Sequence, residues 1–239
     1  WLLATKDVPR KALKSYLGTV GKNQRIFTIT PDYIFGYTLL QKTKEALQYE
    51  SVEHVGNRYH NLGAQNFQPI FQKALEAKAD TILLLNFGID TISALEYAYN
   101  RSLNNRLNIF AMWANVPQMI SSLGLEKVEN VYFGTQYWHE TKLPANKAFV
   151  DCWSGSYNCE PSFVAANSYI SLYLYLMAIQ KTGKPDDVAE VAEALDHLVW
   201  NGLTAPKEFM IPYTHQTKKE YYLLKIENGQ VSIKDPVVY

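Results

Sequence analysis

The sequence predicts an α/β protein in which residues 1–135 form a doubly wound domain around a parallel sheet. Short apolar segments alternate there with amphipathic helical patterns, and each strand start follows the previous one at the spacing of one βα unit. Because the helix of a βα unit returns the chain to the same edge of the sheet, consecutive strands are expected to run parallel.

Five segments have the apolar composition of buried strands, and helical patterns fill the intervals between them. The strands are predicted at 25–30, 51–58, 81–86, 108–113 and 130–137. Helices are predicted at 35–48, 66–77 and 90–103, where apolar residues recur at i, i+3, i+4 and i+7. In the first helix this stripe consists of Leu39, Leu40, Thr43 and Leu47.

The pattern changes after Tyr137. Consecutive helices are predicted at 145–155, 161–182 and 186–198, with little strand signal between them. Asn228-Gly229 then separates two alternating segments, 221–226 and 230–233, which is the strongest short-range signal for a β-hairpin. Helices without strands of their own need a sheet to cover, so this half is predicted to belong to a domain whose sheet lies elsewhere.

Composition and charge exclude several classes of protein. The 23 basic and 23 acidic side chains cancel, which argues against nucleic acid as the partner. A hydrophobic content of 47% argues against disorder. The longest nearly apolar run, 169–179, is shorter than the roughly 20 residues that span a bilayer. A soluble globular protein is therefore expected, and no signal peptide is recognisable before Trp1.

The two cysteines, Cys152 and Cys159, lie close together in the sequence CWSGSYNC. If a helix ends between them, a chain reversal brings the sulfurs together, and the sequence favours this disulfide. The bond would indicate an oxidising compartment. The alternative is two small core residues. No CxxC or His pair at ligand spacing accompanies the cysteines, so no metal site is predicted.

Catalytic motifs are missing from the sequence. It contains no GxSxG, HExxH, GxGxxG or Walker-type loop, so neither a catalytic residue nor a cofactor is predicted. Asp32 and Asp90 follow strand ends and could act as acid–base residues. Helix N-capping is the favoured interpretation of both, because an N-cap needs a short acceptor side chain.

Aromatic residues follow the carboxyl ends of several predicted strands, where ligands bind in open α/β sheets. Aromatic walls with a few polar groups are typical of small-molecule sites. For any single aromatic residue, packing in the core or at an interface is the alternative explanation. Core packing explains less well why several aromatic residues occur together at the strand ends. The predicted ligand-binding residues are Tyr33, Phe35, Phe87, Trp113, Tyr137 and Trp138, with Asn86 and Asp90 orienting polar groups.

Several segments, in order, resemble type I periplasmic binding proteins of the branched-chain amino-acid/amide-binding group, which serve ABC importers. The turn DYIFG after the first strand carries the first similarity. The others are 62–67 (LGAQNF), 86–91 (NFGIDT), 123–124 with 130–132 (LG and NVY), and 157–169, with its Tyr-Asn, Pro, Ala-Ala and Tyr.

The resemblance implies two α/β lobes that are joined by crossover strands and close on a ligand. It assigns 1–7 to the end of a crossover, 8–136 to lobe two, 137–215 to helices returning to lobe one, and 216–239 to a closing hairpin on lobe two. Lobe one is then incomplete, which implies a truncated chain. The implied protein is a non-enzymatic, periplasmic or lipid-anchored extracellular solute-binding component with an ABC permease as partner.

The resemblance also bears on the ligand. In amino-acid binders of this family an acidic residue ends the fourth strand and meets the ligand ammonium, whereas Trp113 stands at that position here. An aromatic or otherwise weakly polar small molecule, which could carry a carboxylate, is therefore expected. The alternatives are the sensing domain of a receptor or repressor with the same fold, or an α/β hydrolase or transferase that uses Asp32 or Asp90.

Overall fold

The computed structural model describes residues 8–21, 23–212, 216–217 and 220–237. The chain divides into two compact units. We call the first the sheet unit (described residues within 8–135 and 221–237) and the second the helical unit (within 136–220). Each is described separately below.

The described residues form ten strands and eight α-helices. The strands are β1 Arg25–Pro31, β2 Glu53–His60, β3 Thr81–Leu84, β4 Asn108–Ala111, β5 Val131–Thr135, β6 Val199–Trp200, β7 Glu208–Ile211, β8 Gln216–Thr217, β9 Tyr221–Glu227 and β10 Gln230–Val237. The helices are α1 Val8–Val20, α2 Ile34–Leu47, α3 Gln68–Glu76, α4 Ile89–Asn100, α5 Val116–Lys127, α6 Pro144–Tyr157, α7 Phe163–Thr182 and α8 Val188–Asp196.

The sheet unit is built on one seven-stranded sheet, in the order β10-β9-β5-β4-β3-β1-β2. Strands β1 to β5 run parallel to one another. At the β5 edge, β9 pairs antiparallel with β5, and β10 pairs antiparallel with β9. The predicted α/β class and parallel sheet are therefore confirmed. The hairpin also forms as predicted, with both Asn228 and Gly229 at positive φ, as a type I′ turn requires.

Helix α1 was missed from the sequence, although it supplies part of the core of the sheet unit. Its Tyr16 ring stacks on Phe110 at a centroid distance of 4.7 Å and meets Tyr132 edge-on at 5.2 Å. Burial raises the pKa of the Tyr16 phenol above its ordinary value. The signal was present, because Ala12, Leu13, Tyr16 and Leu17 lie on one helical face. Helix α5, which also was not predicted, contains a kink at Gly124.

At two positions of this unit a neighbouring atom lies so close to the backbone that only glycine fits. A Cβ at Gly36, in the first turn of α2, would lie 2.0 Å from the Pro31 carbonyl oxygen. A Cβ at Gly134, in β5, would lie 1.6 Å from the Tyr221 hydroxyl oxygen, which donates a hydrogen bond to the Met112 carbonyl. The glycine of the DYIFG turn thus lets α2 start directly against the end of β1.

The helical unit contains α6, α7, α8 and a small antiparallel sheet of β6, β7 and β8 that the sequence did not predict. Asp187 is the N-cap residue of α8, and its carboxylate accepts a hydrogen bond from the Glu190 N–H at 3.1 Å. The helix therefore starts within two residues of the predicted position. By length and composition α7 is long and apolar enough to cross a membrane, whereas the sequence predicted no membrane-spanning segment.

The predicted disulfide is wrong in this structure. Cys152 and Cys159 are both free and exposed, so the alternative of two core residues is wrong as well. Helix α6 continues through Tyr157, and the chain reverses only at Asn158, which adopts the left-handed conformation. The reversal therefore comes too late to bring the two sulfurs together.

Candidate functional site

The candidate site lies at one edge of the sheet unit, where the parallel strands end. Strands β4, β3 and β1 are neighbours in the sheet, so their carboxyl ends lie side by side. The residues that follow these ends include most of the predicted ligand-binding set. This edge is where open α/β sheets hold their ligands.

An aromatic row, which we define as Tyr33, Phe35 and Trp113, runs along this edge. The Tyr33 and Phe35 rings are stacked with their centroids 5.8 Å apart, and Phe35 meets Trp113 at 6.0 Å. Tyr33 and Phe35 are half-buried, whereas Trp113 is only 1% exposed. Trp113 therefore supports Phe35 from within the core, and the outer two rings provide the accessible surface.

Phe87 provides further accessible aromatic surface. It follows β3 and is 39% exposed. The next residue, Gly88, caps α4 with φ at 62°, in the region that favours glycine. This conformation turns the chain sharply from β3 into α4 and leaves Phe87 at the edge.

Two buried polar residues lie beside Phe87. Asp90, in the first turn of α4, is 3% exposed, and its Oδ1 accepts a hydrogen bond from the Gly63 N–H at 2.7 Å. Asn86 is 1% exposed and donates from Nδ2 to the Asp90 carbonyl oxygen at 3.3 Å. Its Oδ1 has no hydrogen-bond partner among the described residues.

The surroundings of Tyr33 favour the neutral form of its phenol. Burial, and then the negative charge of Asp90, raise the pKa of Tyr33 above its ordinary value. A neutral phenol retains its O–H donor.

The predicted N-capping roles of Asp32 and Asp90 are wrong. The N-cap residues are Tyr33 for α2 and Gly88 for α4. The Asp32 carboxylate instead accepts a hydrogen bond from the Tyr37 hydroxyl. The N-cap of α2 therefore lies one residue after Asp32, and the N-cap of α4 lies two residues before Asp90. Both carboxylates make other contacts.

Tyr137 and Trp138 belong to the helical unit and are buried there, at 2% and 3% exposure. The Tyr137 hydroxyl donates to Asn146 Oδ1 at 2.7 Å, and the Trp138 indole N–H donates to Glu140 Oε2 at 3.1 Å. Both polar groups are therefore used within the helical unit, and a role of either residue in ligand binding remains a prediction.

The sequence missed two residues at the end of β2, Tyr59 and His60, and one residue of α2, Tyr37. Tyr59 and Tyr37 form an edge-on pair at 5.6 Å, and both rings are partly exposed. His60, at 6% exposure, has its Nδ1 2.9 Å from the Asn61 carbonyl oxygen. The predicted strand ended at residue 58, so its last two residues were not considered as edge residues. The described residues hold no group of three or more His, Cys, Asp or Glu that could bind a metal ion.

Comparison with known protein families shows to which family this chain belongs. The family model described as periplasmic binding protein matches residues 6–230. The chain belongs to the periplasmic binding protein family. The resemblance seen in the sequence is thereby confirmed, and the solved relatives are of type I.

Several solved structures are similar to this periplasmic binding protein. An amino acid ABC transporter substrate-binding protein from Pseudomonas fluorescens Pf-5 is 31% identical, with a TM-score of 0.89 over 96% of this chain and 63% of that one. A solute-binding protein from R. palustris in complex with benzoate is 16% identical, with a TM-score of 0.82 over 98% and 64%. The leucine-binding protein LivK of Thermotoga maritima MSB8 is 22% identical, with a TM-score of 0.73 over 95% and 64%.

The chain thus spans less than two thirds of the length of these solved relatives. No curated protein sequence matches it.

Proposed function

We propose that this periplasmic binding protein captures a small organic ligand, without catalysis, as the solute-binding component of an ABC importer. The observation that carries the proposal is the aromatic row at the carboxyl edge of the sheet unit, with Tyr33 and Phe35 accessible and Phe87 exposed nearby. The solved relatives are ABC transporter substrate-binding proteins, which supports a permease as partner and a periplasmic or lipid-anchored extracellular location.

The ligand that fits this edge best is an aromatic carboxylate that also carries hydroxyl groups. Flat aromatic surfaces stack on Phe35 and Phe87, and Asn86, whose Nδ2 donates to the Asp90 carbonyl oxygen, would orient the polar groups of the ligand. Two solved relatives support this class: one is in complex with benzoate and another, from Rhodopseudomonas palustris BisB5, with 3,4-dihydroxybenzoic acid. The Asp90 charge would orient the ligand carboxylate away from α4.

Titration calorimetry with benzoate, 3,4-dihydroxybenzoate and L-leucine tests the proposal. We expect the dihydroxylated acid to bind tightest, and Phe35→Ala or Phe87→Ala to weaken binding about fivefold or more, since an aromatic contact contributes about 1–3 kcal/mol. Tyr49→Ala is the matched control, because Tyr49 is an aromatic residue at 86% exposure beyond the end of α2. Tight binding of L-leucine with no response to the aromatic acids would contradict the proposed ligand class.

The preference between the two aromatic acids tests the role of Asn86. We expect Asn86→Ala to weaken 3,4-dihydroxybenzoate more than benzoate, since only the former carries hydroxyl donors. An equal loss for both acids would show that Asn86 acts only through its bond to the Asp90 carbonyl.

A further inference from the structure

The exposed apolar side chains of the sheet unit are concentrated at the carboxyl edge of its sheet. Among the described residues of this unit nine large apolar side chains are exposed, and six of them lie at this edge. Away from the edge are only Tyr49, Leu75 and Ile233. One of the six is Phe87, which belongs to the candidate ligand site. The other five, which we call the edge patch, are Ile34, Tyr37, Tyr59, Leu62 and Ile89.

One half of the edge patch joins α2 to the end of β2. Ile34 and Tyr37 lie three residues apart on α2, and therefore on one face of the helix. The Tyr37 ring meets the Tyr59 ring edge-on at 5.6 Å. The Tyr37 hydroxyl donates a hydrogen bond to the Asp32 carboxylate, which fixes the position of its ring. These three apolar side chains therefore form one continuous surface.

The other half of the edge patch joins the loop after β2 to α4. Leu62 lies in this loop, three residues after Tyr59, and is 61% exposed. The N–H of the next residue, Gly63, donates to the Asp90 carboxylate at 2.7 Å. This bond brings the loop to the first turn of α4, where Ile89 is 57% exposed.

The edge patch borders the candidate ligand site on two sides. Ile34 lies between Tyr33 and Phe35 in the chain, and Ile89 follows Phe87 by two residues. A partner protein that covers the patch is therefore in contact with the elements that carry the ligand-binding rings. No such relationship to the ligand site holds for Tyr49, which lies beyond the other end of α2.

The edge patch is also accessible to a partner. The chain leaves the sheet unit after Thr135 and returns at Tyr221, on the neighbouring strands β5 and β9. Strand β2 is the edge strand on the other side of the sheet, four strand spacings or about 19 Å from β5. A partner can therefore cover Tyr59 without displacing the connections to the helical unit.

The size of the edge patch favours a partner that binds and then departs. A large side chain presents about 200 Å² when fully exposed, so five at 44–75% exposure present on the order of 500–600 Å². Obligate dimers bury about 2,000 Å² or more in total, whereas transient complexes bury less than about 1,200 Å², or about 600 Å² on each partner. The patch is therefore too small for a permanent dimer of this chain.

We propose that the edge patch binds the extracytoplasmic face of the ABC permease through complementary apolar side chains. The inference rests on the proposed transport function, in which the permease must bind this protein and release it again. It adds the surface that makes the contact and the chemistry that holds it. Because no side chain of the patch is charged, burial of apolar area rather than ion pairing stabilises the complex.

Binding of the full chain to the permease of the same transporter, purified in lipid nanodiscs, tests this inference. We expect the double variant Ile34→Gln, Leu62→Gln to bind at least tenfold more weakly than the parent chain, since it removes apolar area from two highly exposed positions of the patch. The double variant Leu75→Gln, Ile233→Gln is the matched control. It makes the same change at exposed apolar residues away from the edge and should bind like the parent chain.

Two further measurements define the contact. The Kd of the parent chain for the permease should change less than about threefold between low and high salt, because screening acts on charges. Calorimetry with the acid that the parent chain binds tightest should give the same ligand affinity for the Ile34→Gln, Leu62→Gln variant, since neither residue is in the ligand site. Empty nanodiscs should bind neither chain.

The outcomes separate this inference from the proposed function. If the parent chain binds the permease and the Ile34→Gln, Leu62→Gln variant binds equally well, the patch is not the docking surface, and the transport function stands. If the parent chain does not bind the permease, both fail.

Three other results would also overturn the inference. A matching loss of ligand affinity in the Ile34→Gln, Leu62→Gln variant would assign the patch to ligand capture. A strong salt dependence would assign the docking to charged groups elsewhere. Less self-association of this variant than of the parent chain in sedimentation velocity would identify a second copy of the chain as the occupant.

Discussion

The Asp90 carboxylate accepts a hydrogen bond from the Gly63 N–H at 2.7 Å. This contact joins the loop after β2 to the first turn of α4, and so connects two elements that border the candidate site. Asp90 is 3% exposed, and the positive end of the α4 dipole favours its negative charge.

Asp90→Ala should therefore lower the free energy of unfolding by about 1–3 kcal/mol, since it leaves a backbone N–H without its acceptor. Asp90→Asn keeps an acceptor oxygen and should cost less. Urea unfolding of both variants, followed by tryptophan fluorescence, measures the difference. Equal stability of the parent chain and Asp90→Ala would show that the contact contributes nothing.

Trp113 packs against Phe35, and we expect it to affect ligand binding through that ring. Because the indole is 1% exposed, we expect Trp113→Ala to cost about 3–5 kcal/mol of stability. We also expect it to weaken ligand binding at least tenfold, since Phe35 loses the ring on which it packs. Trp113→Phe should retain most of both properties. Thermal unfolding and calorimetry separate the two effects, and an unchanged melting temperature in Trp113→Ala would contradict the buried position.

Gly134 and Gly155 should respond to alanine in opposite directions. An added Cβ at Gly134 would lie 1.6 Å from the Tyr221 hydroxyl oxygen, so Gly134→Ala should destabilise by about 1–3 kcal/mol or more. Gly155 lies inside α6 with no atom within 4 Å of such a Cβ. Gly155→Ala should stabilise by about 0.5–1 kcal/mol. Thermal unfolding of both variants gives the comparison, and a stabilised Gly134→Ala would refute the close approach.

Glu227 should titrate far below an ordinary glutamate. Hydrogen bonds from Lys234 and then from Ser232 lower the pKa of Glu227 from 4.5 to about 2. Because the folded-state pKa is the lower one, the contribution of Glu227 to stability is complete above pH 4.5 and is lost as the pH falls through about 2. Carboxyl ¹³C NMR measures the midpoint directly.

Lys234→Met should move that midpoint back towards 4.5, because it removes the largest cause of the shift. Glu193→Gln, which alters an exposed carboxylate of α8, is a control that should leave the Glu227 midpoint unchanged. A midpoint that does not respond to Lys234→Met would contradict the assigned cause.

Helix α7 should make the chain associate with itself. Leu172 and Leu176 are 60% and 55% exposed one turn apart, beside the partly exposed Tyr169 and Tyr173. Contiguous apolar surface of this kind promotes association. Sedimentation velocity should show less association in the double variant Leu172→Lys, Leu176→Lys. Val188→Lys, at an exposed apolar residue of α8, should have little effect, and equal behaviour of the two would argue against the α7 face.

The amino-acid sequence by itself determined the α/β class, the five parallel strands and the Asn228-Gly229 hairpin, and it pointed to the edge of the sheet that carries the candidate site. These features depend on local periodicity and turn chemistry, which the order of residues displays directly. Helix α1 has the same kind of signal, with Ala12, Leu13, Tyr16 and Leu17 on its buried face. The family resemblance depended on the order of several segments along the chain, and Gly36 of the first one, DYIFG, lets α2 approach Pro31.

Only the tertiary structure decided what the candidate residues do. Trp113 lies in the core behind Phe35. The Asp90 carboxylate accepts a hydrogen bond from the Gly63 N–H, 27 residues away in the sequence. Cys152 and Cys159 are not bridged. Burial and hydrogen-bond partners depend on which distant segments meet in space, and the local pattern around each residue does not specify that.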